Sequence, residues 1–152
     1  MKIYQLKTKQ TLPISIRQAW GFFSNPQNLS KITPPWLSFE VTSQIETKMY
    51  AGMIIAYKVT PLLNIPSTWI TEITHVNEPH YFVDEQRFGP YKFWHHQHIF
   101  REVYNGIEME DIVSYSIRFG VLGRLISRML VTKKIKAIFD YRTEVLKAIF
   151  SK

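Results

Sequence analysis

Residues 67 to 117 leave this chain little choice of architecture. "STWITEITHV", "YFVDEQRF", "YKFWHHQHIF" and "IEMEDIVSYSI" read as successive strands, punctuated by "NEPH", "GP" and "NG". Strands joined this tightly must be antiparallel neighbours, because a parallel return needs a crossover of a dozen residues or more. Asn105-Gly106 is the firmest signal, since a type I′ hairpin needs positive φ at both central positions.

The flanks complete the order. "KIYQLKTKQTL" alternates as a first strand that Pro13 ends. In "SIRQAWGFFSNPQNLSKITPP", Ser15 can cap one short helix, Asn25-Pro26 breaks and restarts the chain, and Pro34-Pro35 closes a second helix. "LSFEVTSQI", with Leu37, Phe39 and Val41 on one face, and "MIIAYKV" after Gly52 add two strands. At 100° per residue, Val131, Ile135, Ile138, Phe139, Val145, Leu146, Ile149 and Phe150 share one helical face. Leu125, Ile126 and Met129 point about half a turn away. The helix must therefore break, kink or shift phase near Val131, with a short segment before a helix of about twenty residues.

One domain spanning 1–152 is expected, with an α+β fold: a curved antiparallel sheet of about seven strands around a long C-terminal helix, with two short helices after the first strand. An aromatic share of 14% hints at something bulky inside. The absence of cysteine removes disulfides, thiolate nucleophiles and Cys-ligated zinc. No signal peptide and no membrane span are legible, so a cytoplasmic location is expected. The formal charge of +7 is concentrated after residue 120, with Arg124 and Arg128 one turn apart.

This order resembles the START-like helix-grip superfamily, also called the SRPBCC or birch-pollen-allergen (Bet v 1-like) fold. The residues that carry the resemblance are "ITPPW" at 32–36, Trp69, "FVDEQRFGPYKFWHHQH" at 82–98, "MEDIVSY" at 109–115 and "FDYR" at 139–142. Lipid-transfer domains, hormone receptors and aromatic polyketide cyclases share that fold. The resemblance is to a bacterial subgroup described as ligand-binding or polyketide cyclase-like, and it implies a cavity between sheet and helix.

Strand alternation then selects the inward residues. His96 and His98 share a face with Trp94 and Phe100, while His95 and Gln97 point the other way. With Asn105 and Gly106 as the hairpin loop, His96 faces Tyr115, His98 faces Val113 and Phe100 faces Asp111. Across the Gly89-Pro90 turn, a three-residue loop sets Asp84 against His96, Gln86 against Trp94 and Phe82 against His98. A two-residue loop sets Asp84 against His95 instead, and the subgroup's motif favours the first. The inward set is thus Phe82, Asp84, Gln86, Trp94, His96, His98, Phe100, Asp111, Val113 and Tyr115. Arg142 joins it from the middle of the helix's apolar face, where Asp84, Asp111 or a ligand anion could neutralise it.

These residues are the candidate ligand-binding site, for a small, mostly hydrophobic or amphipathic molecule such as a lipid, an aromatic or a polyketide-like compound. The alternatives are a cyclase- or dehydratase-like enzyme using Asp84 and His96, with Tyr115 supplying a proton, and a peripheral lipid-handling protein resting its basic C-terminal surface on a membrane. An internal network fixing helix to sheet, with no ligand, is the competing structural explanation. Nucleic acid is not expected as a partner. No cofactor is expected and no metal either. His96 and His98 lie about 7 Å apart along one strand face, but ordinary zinc sites add another His or Cys, and His75 and His80 sit near the far turn.

Overall fold

Alternating side chains give each strand one wet and one greasy face, and the sheet forms by stacking the greasy faces on one side. The computed structural model describes residues 2–44, 46, 48–61, 65–117 and 123–151, with side chains described outside 123–128 in the last segment. Its elements are β1 (Tyr4–Leu12), α1 (Ile16–Phe23), two 3₁₀ segments (Pro26–Ile32 and Pro35–Leu37), β2 (Glu40–Val41), β3 (Ile54–Val59), β4 (Ser67–Asn77), β5 (Tyr81–Phe88), β6 (Phe93–Val103), β7 (Gly106–Ser116) and α2 (Gly123–Phe150). All seven strands lie in one curved antiparallel sheet, in the order β1-β7-β6-β5-β4-β3-β2.

Local chemistry sets the boundaries. Ser15 accepts from the Gln18 backbone N–H while the Gln18 side chain accepts from the Ser15 N–H, a capping box that starts α1. The second expected helix is a 3₁₀ segment, opened by Asn25 accepting from the Gln27 N–H with Pro26 behind it. The strand expected from Leu37 onward shrinks to two residues, because Pro35–Leu37 turns and Ser38 takes a left-handed conformation. Phe39 and Val41 still pack against the core.

The hairpin register also departs from expectation. Tyr104 and Asn105 form the loop, and Gly106 is already in the strand opposite Val103. His96 therefore faces Val113, His98 faces Asp111 and Phe100 faces Met109. Gly106 has φ 142°, and a Cβ there would collide with the Leu12 carbonyl of β1. The backbone needs glycine at that strand position, so the turn slides toward the N-terminus. The slip is two residues, which leaves every side chain on its expected face.

Helix α2 runs unbroken, so of the break, kink or shift of phase expected near Val131 the break and the separate short segment do not occur. The change of phase is absorbed by exposure: Met129 and Leu130 are open to solvent, while Val131, Ile135, Phe139, Arg142 and Leu146 are buried. Leu125, Ile126, Arg124 and Arg128 belong to the stretch whose side chains are not described. Among the described residues, no helix is long and apolar enough to cross a membrane. The helix packs across the sheet in two clusters. Val131, Ile135 and Phe139 meet Val113, Tyr115 and Trp94, whereas Leu146 meets Leu12, Ile16 and Ile107. Replacing Gly106 by Ala is expected to destabilise the fold by more than ~1 kcal/mol, since neither the φ nor the space suits a side chain. Chemical unfolding would measure it, and an unchanged midpoint would show that β1 and β7 can separate at low cost.

Candidate functional site

The centre of the concave face holds two carboxylates and two imidazoles. Pleating turns Asp84, His96, His98 and Asp111 to the same side, and the registers Asp84↔His96 and His98↔Asp111 make them neighbours across three strands. His96 Nε2 donates to Asp111 Oδ1 at 2.9 Å, and His98 Nε2 donates to Asp84 Oδ2 at 2.8 Å. The other two approaches close a ring: His96 Nδ1 lies 3.3 Å from Asp84 Oδ2, and His98 Nδ1 lies 3.1 Å from Asp111 Oδ1. That last contact is close enough for an ion pair but misaligned, so His98 Nδ1 makes no hydrogen bond.

Aromatic neighbours clamp the ring in place. The imidazole centroids of His96 and His98 are 3.7 Å apart, and Phe82 stacks on the outer side of His98 at 4.1 Å. Phe139 of α2 and Trp94 of β6 meet His96 edge-on. Arg142 arrives from α2 with its guanidinium over the Phe139 ring and Nη1 3.5 Å from Asp111 Oδ1. Its Nε and Nη1 form no hydrogen bond, although the residue is 6% exposed. Asp111, rather than Asp84, is thus the carboxylate facing the arginine.

Burial and charge pull these groups in opposite directions. Burial alone would raise the Asp84 carboxyl, but the His96 charge and hydrogen bonds from His96 and His98 outweigh it and hold the group well below the usual carboxylate range. Asp111 is likewise held down against its burial, by contacts from both histidines and by the Arg142 charge. Burial would lower His96, yet the two carboxylates raise it above the ordinary imidazole value. Both aspartates are therefore anions at neutral pH. Tyr57 nearby stays a neutral phenol, pushed up by burial and by the Asp84 charge.

This polar ring forms one wall of a cavity of about 130 Å³ between the sheet, α2 and the segment from Phe22 to Thr33. The space is on the order of ten times what one water molecule needs. Phe82, Asp84, Trp94, His96, His98 and Arg142, all selected from the sequence, line it. The other five selected residues do not. Gln86 ties down the β5–β6 turn, donating to the Tyr91 carbonyl and accepting from its N–H. Phe100 packs with Trp20 and Phe23 in the core, and Val113 lies beneath Val131 and Ile135. Asp111 stands behind the histidines. Tyr115 shares a 2.9 Å hydrogen bond with Thr132 of α2, so its hydroxyl is not at the cavity wall.

Much of the apolar lining escaped the sequence reading. Tyr57 and Ile55 of β3, Thr71 and Ile73 of β4, and Phe22 and Leu29 before the sheet all face the cavity. The signal for β4 was available, because Thr71 and Ile73 share the parity of Trp69. Trp69 itself lines the cavity, and its buried Nε1 has no hydrogen-bond partner. Trp36 lies outside, 40% exposed beneath the Lys134 ammonium at 4.2 Å. His75 and His80 are exposed and His95 is half-buried on the outer face, as their positions implied.

Asp111 is the hub on which two imidazoles and a guanidinium converge. Asp111→Ala is expected to cost about 3–5 kcal/mol in urea unfolding, because it leaves buried donors and a cation without their anion. A loss under ~1 kcal/mol would show that the ring does not hold the fold together.

No protein-family profile and no curated sequence matches the chain. Solved structures do. A protein from Chromobacterium violaceum superposes with a TM-score of 0.72 at 8% identity, covering 97% of each chain. The major latex-like protein 151 of Panax ginseng gives 0.69 at 11% identity over 99% of each. Ara h 8.0201 gives 0.66 at 10% identity, over 97% of this chain and 99% of that one. At such identities the likeness establishes architecture, and the architecture is the Bet v 1-like helix-grip fold.

Proposed function

We propose that the protein binds a small, mostly apolar molecule carrying a hydrogen-bond acceptor or anionic group, in the cavity between the sheet and α2. One observation carries this reading: polar atoms without partners sit on residues that line an otherwise greasy cavity. Trp69 Nε1 and Arg142 Nε and Nη1 are buried donors that make no hydrogen bond among the described residues, Nη1 having only the 3.5 Å ion pair with Asp111. A buried donor without an acceptor costs about 1–3 kcal/mol. A ligand carboxylate or carbonyl would recover that cost while its apolar body meets Ile73, Phe82 and Leu29. Few polar groups set among rings and aliphatics is how small-molecule sites are generally built. The helix-grip fold hosts many functions, and it is this wall rather than the architecture that favours a ligand.

A second reading makes Asp84 and His96 an acid–base pair acting on the bound molecule. Its support is that both line the cavity, 3.3 Å apart. Tyr115 plays no part in it, since its hydroxyl is engaged with Thr132.

Native mass spectrometry of protein purified without organic solvent tests the binding reading first, and a medium-chain fatty acid and the matching alcohol then serve as probes. Arg142→Met is expected to weaken the acid by about ten- to hundredfold, the worth of a charge-assisted hydrogen bond, and to leave the alcohol within about threefold. Equal losses for both probes would remove Arg142 from the ligand. Failure of both to bind the wild-type chain, together with a clean apo mass, would overturn the reading.

A further inference from the structure

We propose that Asp84, His96 and His98 form a binding site for one divalent transition-metal ion, with Asp111 as the outer carboxylate that orients His96. Donor atoms from these three residues all lie within 4.8 Å of one another. Asp84 Oδ2 stands 2.8 Å from His98 Nε2 and 3.3 Å from His96 Nδ1. Around an ion with bonds near 2.0–2.1 Å, donors stand roughly 2.9–3.4 Å apart. The two distances from Asp84 are close to that spacing.

Tautomers make the argument sharper. Asp111 Oδ1 faces the far nitrogen of each imidazole: His96 Nε2 at 2.9 Å and His98 Nδ1 at 3.1 Å. The His96 tautomer that donates from Nε2 to Asp111 presents its Nδ1 lone pair to Asp84, whereas His98 donates from Nε2 to Asp84 and must move that proton to Nδ1, or release it, when an ion binds. With that proton moved, His96 Nδ1 and His98 Nε2 both present lone pairs toward the Asp84 carboxylate, an arrangement that a cation relieves. A metal-bound histidine almost always gives its other N–H to a carboxylate or carbonyl, and here Asp111 accepts from His96 Nε2, while His98 Nδ1 lies 3.1 Å from the same oxygen without a hydrogen bond. Arg142 neutralises that aspartate from behind at 3.5 Å. With neutral imidazoles the cluster, Asp84, Asp111 and Arg142, carries one net negative charge, which a divalent ion reverses.

The three donors also line the cavity. An ion held by two histidines and one carboxylate from one side keeps positions free for water or a second ligand. That donor set suits ions such as zinc, iron(II) or cobalt(II) rather than calcium or magnesium. It needs no further His or Cys, because Asp84 takes the third place. The site is independent of the apolar ligand proposed above, and its test uses the metal alone.

Protein stripped with a chelator would be titrated with Zn²⁺ by calorimetry and with Co²⁺ by visible absorption. One ion per chain is expected, with the intense d–d bands of a low-symmetry His/carboxylate site. Asp84→Asn and His98→Gln should abolish binding, Asp111→Asn should weaken it about ten- to hundredfold, and His75→Gln with His80→Gln should change nothing. Imidazole ¹⁵N spectra of the wild-type protein guard against variants that fail to fold: zinc should shift His96 and His98 and spare His75, His80 and His95. Absence of binding at micromolar zinc, binding unaffected by Asp84→Asn, or ¹⁵N shifts confined to the exposed histidines would each overturn the proposal.

Discussion

Two ladders of backbone hydrogen bonds decide everything at the centre of this protein. The β5–β6 register sets Asp84 across from His96, and the β6–β7 register sets His98 across from Asp111. A slip of one residue in either would turn the imidazoles outward or leave their carboxylates on the wrong side, because the side-chain period of a strand is two. Each ladder is pinned at its turn by one residue. Gln86 bonds both the N–H and the carbonyl of Tyr91, closing the connection between β5 and β6. Gly106 lets β1 lie against the start of β7, where any Cβ would strike the Leu12 carbonyl.

The helix turns this surface into a compartment. Leu146 and Phe139 close on the sheet from either side of Arg142, so the arginine is carried inward by the packing of its neighbours. Its guanidinium lies on the Phe139 ring, which covers one face of the cation without satisfying its donors. The cavity is asymmetric as a result. One wall carries Asp84, His96, His98 and Arg142; the rest, from Phe22 through Tyr57 to Ile73, is mostly apolar, with Asn25, Asn28, Thr33 and Thr71 among its polar members.

How far the sequence shows this depends on which physical signal each feature rests on. Parity is a local property of a strand, so the inward placement of Asp84, His96, His98 and Asp111 could be read directly. Register is not local. The pairing of His98 with Asp111 depended on Gly106 being needed by β1, a contact between residues almost a hundred positions apart. Tyr115 was legible as inward but not as bound to Thr132, because that bond depends on how α2 lies across the sheet. The disturbance expected at Val131 is a shift of phase without a break, for a related reason. Periodicity reports where apolar residues point; it does not require a helix to end where they stop being covered, and Met129 and Leu130 are exposed instead. The cavity's apolar wall was hidden because Ile73 and Tyr57 read the same whether they pack solid or border a space.

The polar ring is hard to account for as scaffolding alone. Fixing α2 on the sheet calls for apolar contacts, and the two clusters around Phe139 and Leu146 already supply them. Burying charges has a desolvation penalty that mutual attraction offsets only with good geometry, and well-packed hydrophobic residues of similar volume are often at least as stable. Here the geometry is incomplete: His98 Nδ1 and two guanidinium nitrogens lack partners, and Asp84 keeps 16% of its side-chain surface exposed. Sites where a sequence departs from its own best packing are where function is expected to reside. The unmatched donors and the Asp84, His96 and His98 side chains all border the same cavity. A bound acceptor and a bound cation would complete the polar wall that the chain leaves unfinished.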